Sequence, residues 1–195
     1  MCTNLLKDSR TFSFLLEIDR DTETSAGQEP CSFCGDCVHR ADYFRKPRAP
    51  GIDLSDDFCR RPSFCCRRDG CRRRKTPALL RFLGRKVYVS IVVLLVTAMT
   101  QGDSPRRLSE LKKELGILPA TVGRWRRFWL EIFPRHSSWR YQRGNVLPPV
   151  DETILPWSLL QHLTRKNQDQ REAVVSLLRL ATDYSMSPHL KVHNN

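Results

Sequence analysis

The chain has no apolar run long enough to cross a bilayer as a helix. Its one candidate, Val87 to Met99, falls well short of the roughly 20 apolar residues a spanning helix needs. Basic residues precede this run and Gly102-Asp103 follows soon after, so a buried core helix is expected and a membrane partner is not. A secretory signal is also missing: MCTNLLKDSRTFSFLLEIDR mixes charges into its apolar stretch and offers no h-region. There is no phosphate-cradling glycine loop, no nucleophile elbow, no internal repeat and no low-complexity tract. Acid is scarce as well. Asp and Glu number 21 against 33 Lys and Arg, a formal net charge of +12 with a pI near 9.7. That imbalance suits a polyanionic partner, of which nucleic acid is the commonest. A ribosomal or merely soluble basic protein is the alternative. Hydrophobic residues make up only 40% of the 195, which suits a core over part of the chain, in one ordinary domain or two small modules.

Cysteine, by contrast, is plentiful. Eight are present, Cys2, Cys31, Cys34, Cys37, Cys59, Cys65, Cys66 and Cys71. Without a signal sequence they imply a reducing, cytoplasmic setting, where clustered thiols usually mean metal rather than disulfides. Tetrahedral zinc takes four ligands from two tight turns. Cys31 and Cys34 have the CxxC spacing of one turn, with Gly35 after them for a positive φ. Cys66 and Cys71 enclose a longer turn built on Asp69-Gly70. Zn held by Cys31, Cys34, Cys66 and Cys71 is the expectation. Cys37 and His39 are alternative ligands in the first half, and Cys65 in the second. Neighbouring cysteines point apart on an extended chain, so only one of Cys65 and Cys66 should ligate. The run Cys31, Cys34, Cys37 also has a spacing found in iron–sulfur proteins. A redox dithiol lacks the βαβ context it needs. The metal reads as structural, since a catalytic zinc keeps an open position and proton-handling neighbours.

The expected fold class is α+β: a small N-terminal zinc-ribbon-like β module over 11–84, a three-helix helix-turn-helix over 85–134, and a helical C-terminal tail over 150–185. Phe12, Phe14, Leu16 and Ile18 alternate, predicting a strand over 11–19. Residues 20–30 read as loop and 40–57 as an irregular excursion. Residues 62–66 predict a short strand ending at the second knuckle. Residues 86–101 suit a helix by length. A second helix is predicted over 106–115, with Ser104 as N-cap, Pro105 at the first helical position and an apolar face of Leu108, Leu111 and Leu115. Gly116 should end it in the left-handed region. A third helix is predicted from Pro119 to about Phe133. Pro148-Pro149 reads as a linker, and helices return over 157–163 and 172–181 as an appendage, a candidate dimerisation element.

Two surfaces are expected to meet nucleic acid. The first is the arginine-dense stretch around the second knuckle: Arg60, Arg61, Arg67, Arg68, Arg72, Arg73, Arg74, Lys75, Arg81, Arg85 and Lys86, with Asp69 as the single acid beside them. Charge of one sign at this density suits phosphate contact. A solvated basic face or a targeting patch is the bland alternative. The second surface is the helix after Gly116, whose outward face carries Ala120, Thr121, Gly123, Arg124 and Arg127. In a helix-turn-helix the N-terminal part of this helix enters the major groove. Arg124 has the reach for a bidentate contact to guanine and Thr121 for a base or phosphate, while Arg126 and Arg127 suit the backbone.

Residues 107–129, RLSELKKELGILPATVGRWRRFW, resemble the helix-turn-helix of transposases and resolvase-like proteins. Residues 62–89, PSFCCRRDGCRRRKTPALLRFLGRKVYV, look like the zinc-ribbon end of insertion-sequence transposases and their accessory DNA-binding proteins. Over 11–133 the chain is similar to small bacterial proteins that travel with mobile elements. The resemblance implies site-specific binding of double-stranded DNA at element ends or an operator. It implies Cys31, Cys34, Cys66 and Cys71 as ligands and Thr121, Arg124 and Arg127 as DNA contacts. The chain departs from the pattern at the four-residue gap of the second knuckle and at Leu118, where a polar N-cap is usual. Transposase catalytic cores hold two metal ions on well-separated acids of a large α/β domain. After residue 133 only Asp151, Glu152, Asp169, Glu172 and Asp183 offer acids, and no strand pattern places them. The expectation is therefore a non-catalytic accessory factor or regulator of transposition, with a separate transposase as candidate partner. An RNA- or ribosome-associated zinc-ribbon protein, or a transposase remnant, is the alternative.

Overall fold

A helix buried on every side sets the architecture. In the computed structural model, which describes residues 5, 6, 8–45, 47–49, 53–83, 88–100 and 105–186, Ser90–Met99 is helical and all ten of its residues are buried. Its Val and Ile residues favour strands in isolation, but burial on all sides overrides that weak preference. The helix is shorter than the 86–101 predicted. Tyr88 and Val89 instead make bridges to Arg48 and Phe82. Among the described residues no helix is long and apolar enough to cross a membrane.

The first long helix among the described residues is α1, Ser9–Gln28. This corrects the strand predicted over 11–19 and the loop after it. Asp8 caps the helix by accepting from the Arg10 N–H at 3.0 Å. The buried face is Thr11, Phe12, Leu15, Asp19, Glu23 and Ala26, a spacing of three and four. Two of these positions are acidic, so the helical period is invisible to a hydrophobic pattern.

The module that carries the cysteine knuckles follows. Strands β1 (Val38–Arg40), β2 (Tyr43–Phe44), β3 (Arg60–Arg61), β4 (Phe64–Cys66) and β5 (Arg74–Lys75) form two antiparallel sheets, β1-β4-β5 and β2-β3. A single turn, α2 (Asp56–Cys59), precedes β3. The predicted strand at the second knuckle is thus present, and the expected irregular stretch holds β2 and α2.

The central helix is α3. After it come α4 (Pro105–Leu115) and α5 (Pro119–Arg127), joined through Gly116 at φ +62°. Pro105 and Pro119 open their helices as predicted. Beyond α5 the helix widens into a π turn, Phe128–Ile132, and tightens into a 3-10 turn, Phe133–Arg135. Then come α6 (Ser137–Gln142), α7 (Trp157–Asn167) and α8 (Gln170–Met186). The last two helices, predicted as an appendage, share one hydrophobic cluster with α3, α5 and α1. Trp129 stands 5.1 Å from Phe133, and Phe133 5.1 Å from Trp139. This aromatic stack explains why the π turn is kept, since it turns Trp129 fully inward. Cys2, Arg85, Lys86, the predicted Ser104 cap and the Leu111 and Asp183 side chains lie outside the described residues.

A buried ion pair joins the two halves. Asp19 of α1 meets Arg81 at 2.9 Å, and the two side chains are 0% and 1% exposed. Asp19 also accepts from the N–H groups of Leu80 at 2.6 Å and Arg81 at 3.2 Å. Arg81 donates onward to the carbonyls of Asp57 and Phe58. Burial pushes the Asp19 carboxyl up to about 6 against the pull of Arg81.

Candidate metal centre and basic surfaces

Each knuckle is a local turn that its residues dictate. In the first, the Gly35 N–H donates to the Cys31 carbonyl at 2.9 Å, and Gly35 takes φ +72°. In the second, the N–H groups of Cys71 and Arg72 both donate to the Arg68 carbonyl, with Gly70 at φ +84° and Arg72 at φ +43°. The strands bring these turns together. Val38 of β1 is in register with Cys66 of β4, and the Arg67 N–H donates to the Cys37 carbonyl at 3.0 Å.

The result is a cluster of four thiols, Cys31, Cys34, Cys66 and Cys71, whose sulfurs all lie within 4.8 Å of one another. Sγ of Cys31 and Cys71 are 3.9 Å apart, and those of Cys34 and Cys66 3.4 Å. A disulfide needs about 2.05 Å, whereas a tetrahedron with Zn–S bonds of about 2.3 Å has edges of roughly 3.8 Å. The four sulfurs lie close enough to bind a metal ion. The N–H groups of Phe33 and then Cys34 donate to the Cys31 sulfur and lower its pKa to about 7. Burial pushes the Cys66 thiol up to about 12. A cation among the sulfurs resolves this conflict, because it supplies the charge that a buried thiolate lacks.

The alternative ligands are elsewhere. Cys65 precedes Cys66 on one strand and points to the other side, its Sγ 3.5 Å from the Arg72 carbonyl. His39 faces Cys65 across the β1-β4 pair. Cys37 is exposed. None of the three joins the cluster.

The arginine surface is smaller than its composition implies. Arg81 is spent on Asp19, and Arg61 is buried. Arg60 pairs with Asp42 at 2.6 Å and Glu23 at 3.4 Å, Arg40 joins the same two acids, and Lys75 pairs with Glu29. Asp69 is therefore far from the only acid here, and Arg60, Arg61 and Arg81 are corrected from phosphate contacts to internal supports. Arg72 is exposed and pairs with Asp69 at 2.5 Å. Arg67, Arg68, Arg73 and Arg74 are exposed and form no ion pair with an acid of the described residues.

On α5, Val122 and Trp125 face the core while Ala120, Gly123, Arg124 and Arg127 face outward. The Arg124 guanidinium donates to the half-buried Thr121 hydroxyl at 3.1 Å. Arg127 lies 3.7 Å from Glu131. Leu118, with no side-chain cap, is 55% exposed at the turn. The late acids serve local structure: Asp151 and Asp169 accept backbone N–H groups two residues on, and Glu152 accepts from the Trp139 indole at 2.9 Å. Of the features that matter at the site, Phe33 and the acids that consume the arginines escaped the sequence reading. Comparison with protein-family models, curated proteins and solved structures gives no match for this chain.

Proposed function

We propose that this chain is a zinc-dependent, non-catalytic DNA-binding protein of a mobile element, acting as an accessory factor or regulator of transposition in the cytoplasm. Zn sits on Cys31, Cys34, Cys66 and Cys71 and gathers the knuckle arginines into one surface. Duplex DNA is held there by Arg72, Arg73 and Arg74. It is read by α4 and α5 as a helix-turn-helix, with Thr121, Arg124 and Arg127 toward the groove. The observation that carries this reading is the pairing of an outward Thr121–Arg124 couple with an inward Val122 and Trp125 on one short helix. That arrangement orients a guanidinium outward from a rigid support.

Titration with duplex DNA, matched RNA and heparin at moderate salt tests the reading. Preference for a particular duplex is expected, and equal affinity for all three would sink it. Arg124→Ala should erase base preference at one position, worth about 1–3 kcal/mol. Arg73→Ala or Arg74→Ala should weaken all sequences alike and reduce the salt slope by about 0.9 each. Identical effects from both classes would mean a purely electrostatic surface.

Gly123 adds a second test. It lies in mid-helix, and a Cβ there would meet nothing within 4 Å, so the fold itself does not require glycine. Gly123→Ala should stabilise the chain by about 0.5–1 kcal/mol. If the α5 face lies against DNA, the same change should weaken binding. A variant that gains stability and keeps full affinity would remove that face from the interface.

A further inference from the structure

The first knuckle displays an aromatic ring that the fold leaves largely exposed, with Arg73 over one face. Phe33 lies between the ligands Cys31 and Cys34 and is 66% exposed. The knuckle turn does not need it, since the turn rests on Gly35 and on backbone N–H groups. An apolar ring held in water is unfavourable, so its place calls for a partner. One face carries the Arg73 guanidinium, 3.2 Å from the ring centroid. Phe33, Ser32, Val38, Arg73, Arg74 and Lys75 line a cavity of about 250 Å³ beside Cys31. Lys75 is held by Glu29, which leaves Arg73 and Arg74 as the cations available to a ligand there.

We propose that Phe33 is a stacking platform for an unpaired nucleobase, and that Arg73 and Arg74 take the phosphates flanking it. The metal module then takes a single-stranded DNA segment where a strand leaves the duplex, on the same arginines that hold duplex phosphates in the proposed function, while α5 takes duplex. This rests on the reading of the knuckle arginines as phosphate contacts. Three physical points carry it. A base inside a duplex is already stacked on both faces, so an exposed ring at a turn finds an open base only where the strand is unpaired. A guanidinium stacked on a ring keeps its N–H edge free for a bidentate phosphate contact. The backbone on either side of Phe33 is held by the knuckle, so little order is lost when a base docks.

The test is binding of the full, zinc-loaded chain to a short oligothymidylate and to a blunt duplex. An oligonucleotide carrying 2-aminopurine reports stacking through its fluorescence. Phe33→Leu keeps apolar bulk without the ring, and Phe33→Trp restores a ring. Stacking is worth about 1–3 kcal/mol per base, so Phe33→Leu should lose roughly 5–150-fold in single-strand affinity. Phe33→Trp should retain affinity, and blunt-duplex binding should change less than about twofold, within the scatter of near-neutral surface changes. Zinc content measured on each variant shows that the knuckle persists. Phe33→Leu binding single strands as tightly as wild type overturns the proposal, as does an equal loss on single strand and blunt duplex. If the wild-type chain binds duplex but no single strand, this inference fails and the proposed function stands. Ring-dependent single-strand binding without any duplex binding upholds this inference and removes the helix-turn-helix reading.

Discussion

Replacing Cys66 by serine is expected to strip the metal from the chain and unfold its N-terminal module. Cys66 is fully buried, its sulfur is 3.4 Å from that of Cys34, and its strand holds both β1 and β5. The short strands of this module have little core of their own, so under the proposed function the bound metal would carry much of their stability. Structural zinc contributes on the order of 10–16 kcal/mol of apparent folding free energy in zinc-finger peptides. Even a fraction of that exceeds what strands of two and three residues can supply. Zinc should fall from one equivalent in wild type to below half in Cys66→Ser. Amide exchange should accelerate in β1, β4 and β5 while α3 stays protected. Cys65→Ser is the sharper half of the experiment. It removes a thiol one position away that points to the other side of the strand, and it should leave zinc at one equivalent. Equal zinc loss in both variants, or full zinc in Cys66→Ser, would move the centre away from these four sulfurs. A strong chelator should reproduce the Cys66→Ser exchange pattern in the wild-type chain.

Arg81→Ala should be the most damaging single change outside the metal centre. It leaves Asp19 buried and without its charge partner, and breaking such a pair costs about 3–5 kcal/mol. For a chain of this size that lowers Tm by roughly 6–20 °C. Replacing both partners by apolar residues, Asp19→Leu with Arg81→Met, should be far milder, because no uncompensated charge remains. A double variant as unstable as Arg81→Ala would show that the pair's hydrogen bonds to Leu80 and Phe58 matter more than its charge. The pH dependence carries its own sign. Burial holds the Asp19 carboxyl at about 6, above its unfolded value of about 3.9. The folded state therefore binds this proton more tightly than the unfolded state. The resulting stabilisation is complete below the unfolded value and is lost as pH rises through about 6. Asp42 works in the opposite direction: its pKa is lowered on balance although burial, its largest single influence, raises it, because Arg40, Arg60 and the Ser63 N–H overcome that. The wild-type curve minus the Asp19→Asn curve isolates the Asp19 share. A flat difference between pH 4 and 7 (about the window these two values set) would refute this assignment.

How far the sequence was legible depends on the range of the interactions involved. The four thiols were legible because a knuckle is a local object. Two cysteines three apart, and a glycine that accepts a positive φ, specify a turn whatever the rest of the chain does. Strand alternation alone said that only one of Cys65 and Cys66 joins the cluster, and the fold decided that it is Cys66. The starts of α4 and α5 and the turn between them were legible for the same reason, since Pro105 and Pro119 each fix one φ and Gly116 tolerates a positive one. The first helix was not legible. Its inward face includes Asp19 and Glu23, and an acid counts as inward only once its partner is known. Those partners are Arg81, Arg40 and Arg60, far along the chain. The same ion pairs decide which arginines remain for a ligand. Composition counts Arg60, Arg61, Arg81 and Arg74 alike, and only the fold buries Arg61 and Arg81 and ties Arg60 to Asp42 and Glu23.

By itself, then, the sequence determined the cysteine turns, the helix punctuation and the excess of positive charge, because each depends on residues a few positions apart. The tertiary structure alone decided that residues 9–28 form a helix, that the C-terminal helices share the central core, and which cations face solvent. Those outcomes depend on burial and on charges paired across long separations, and neither has a signature within a short stretch of chain.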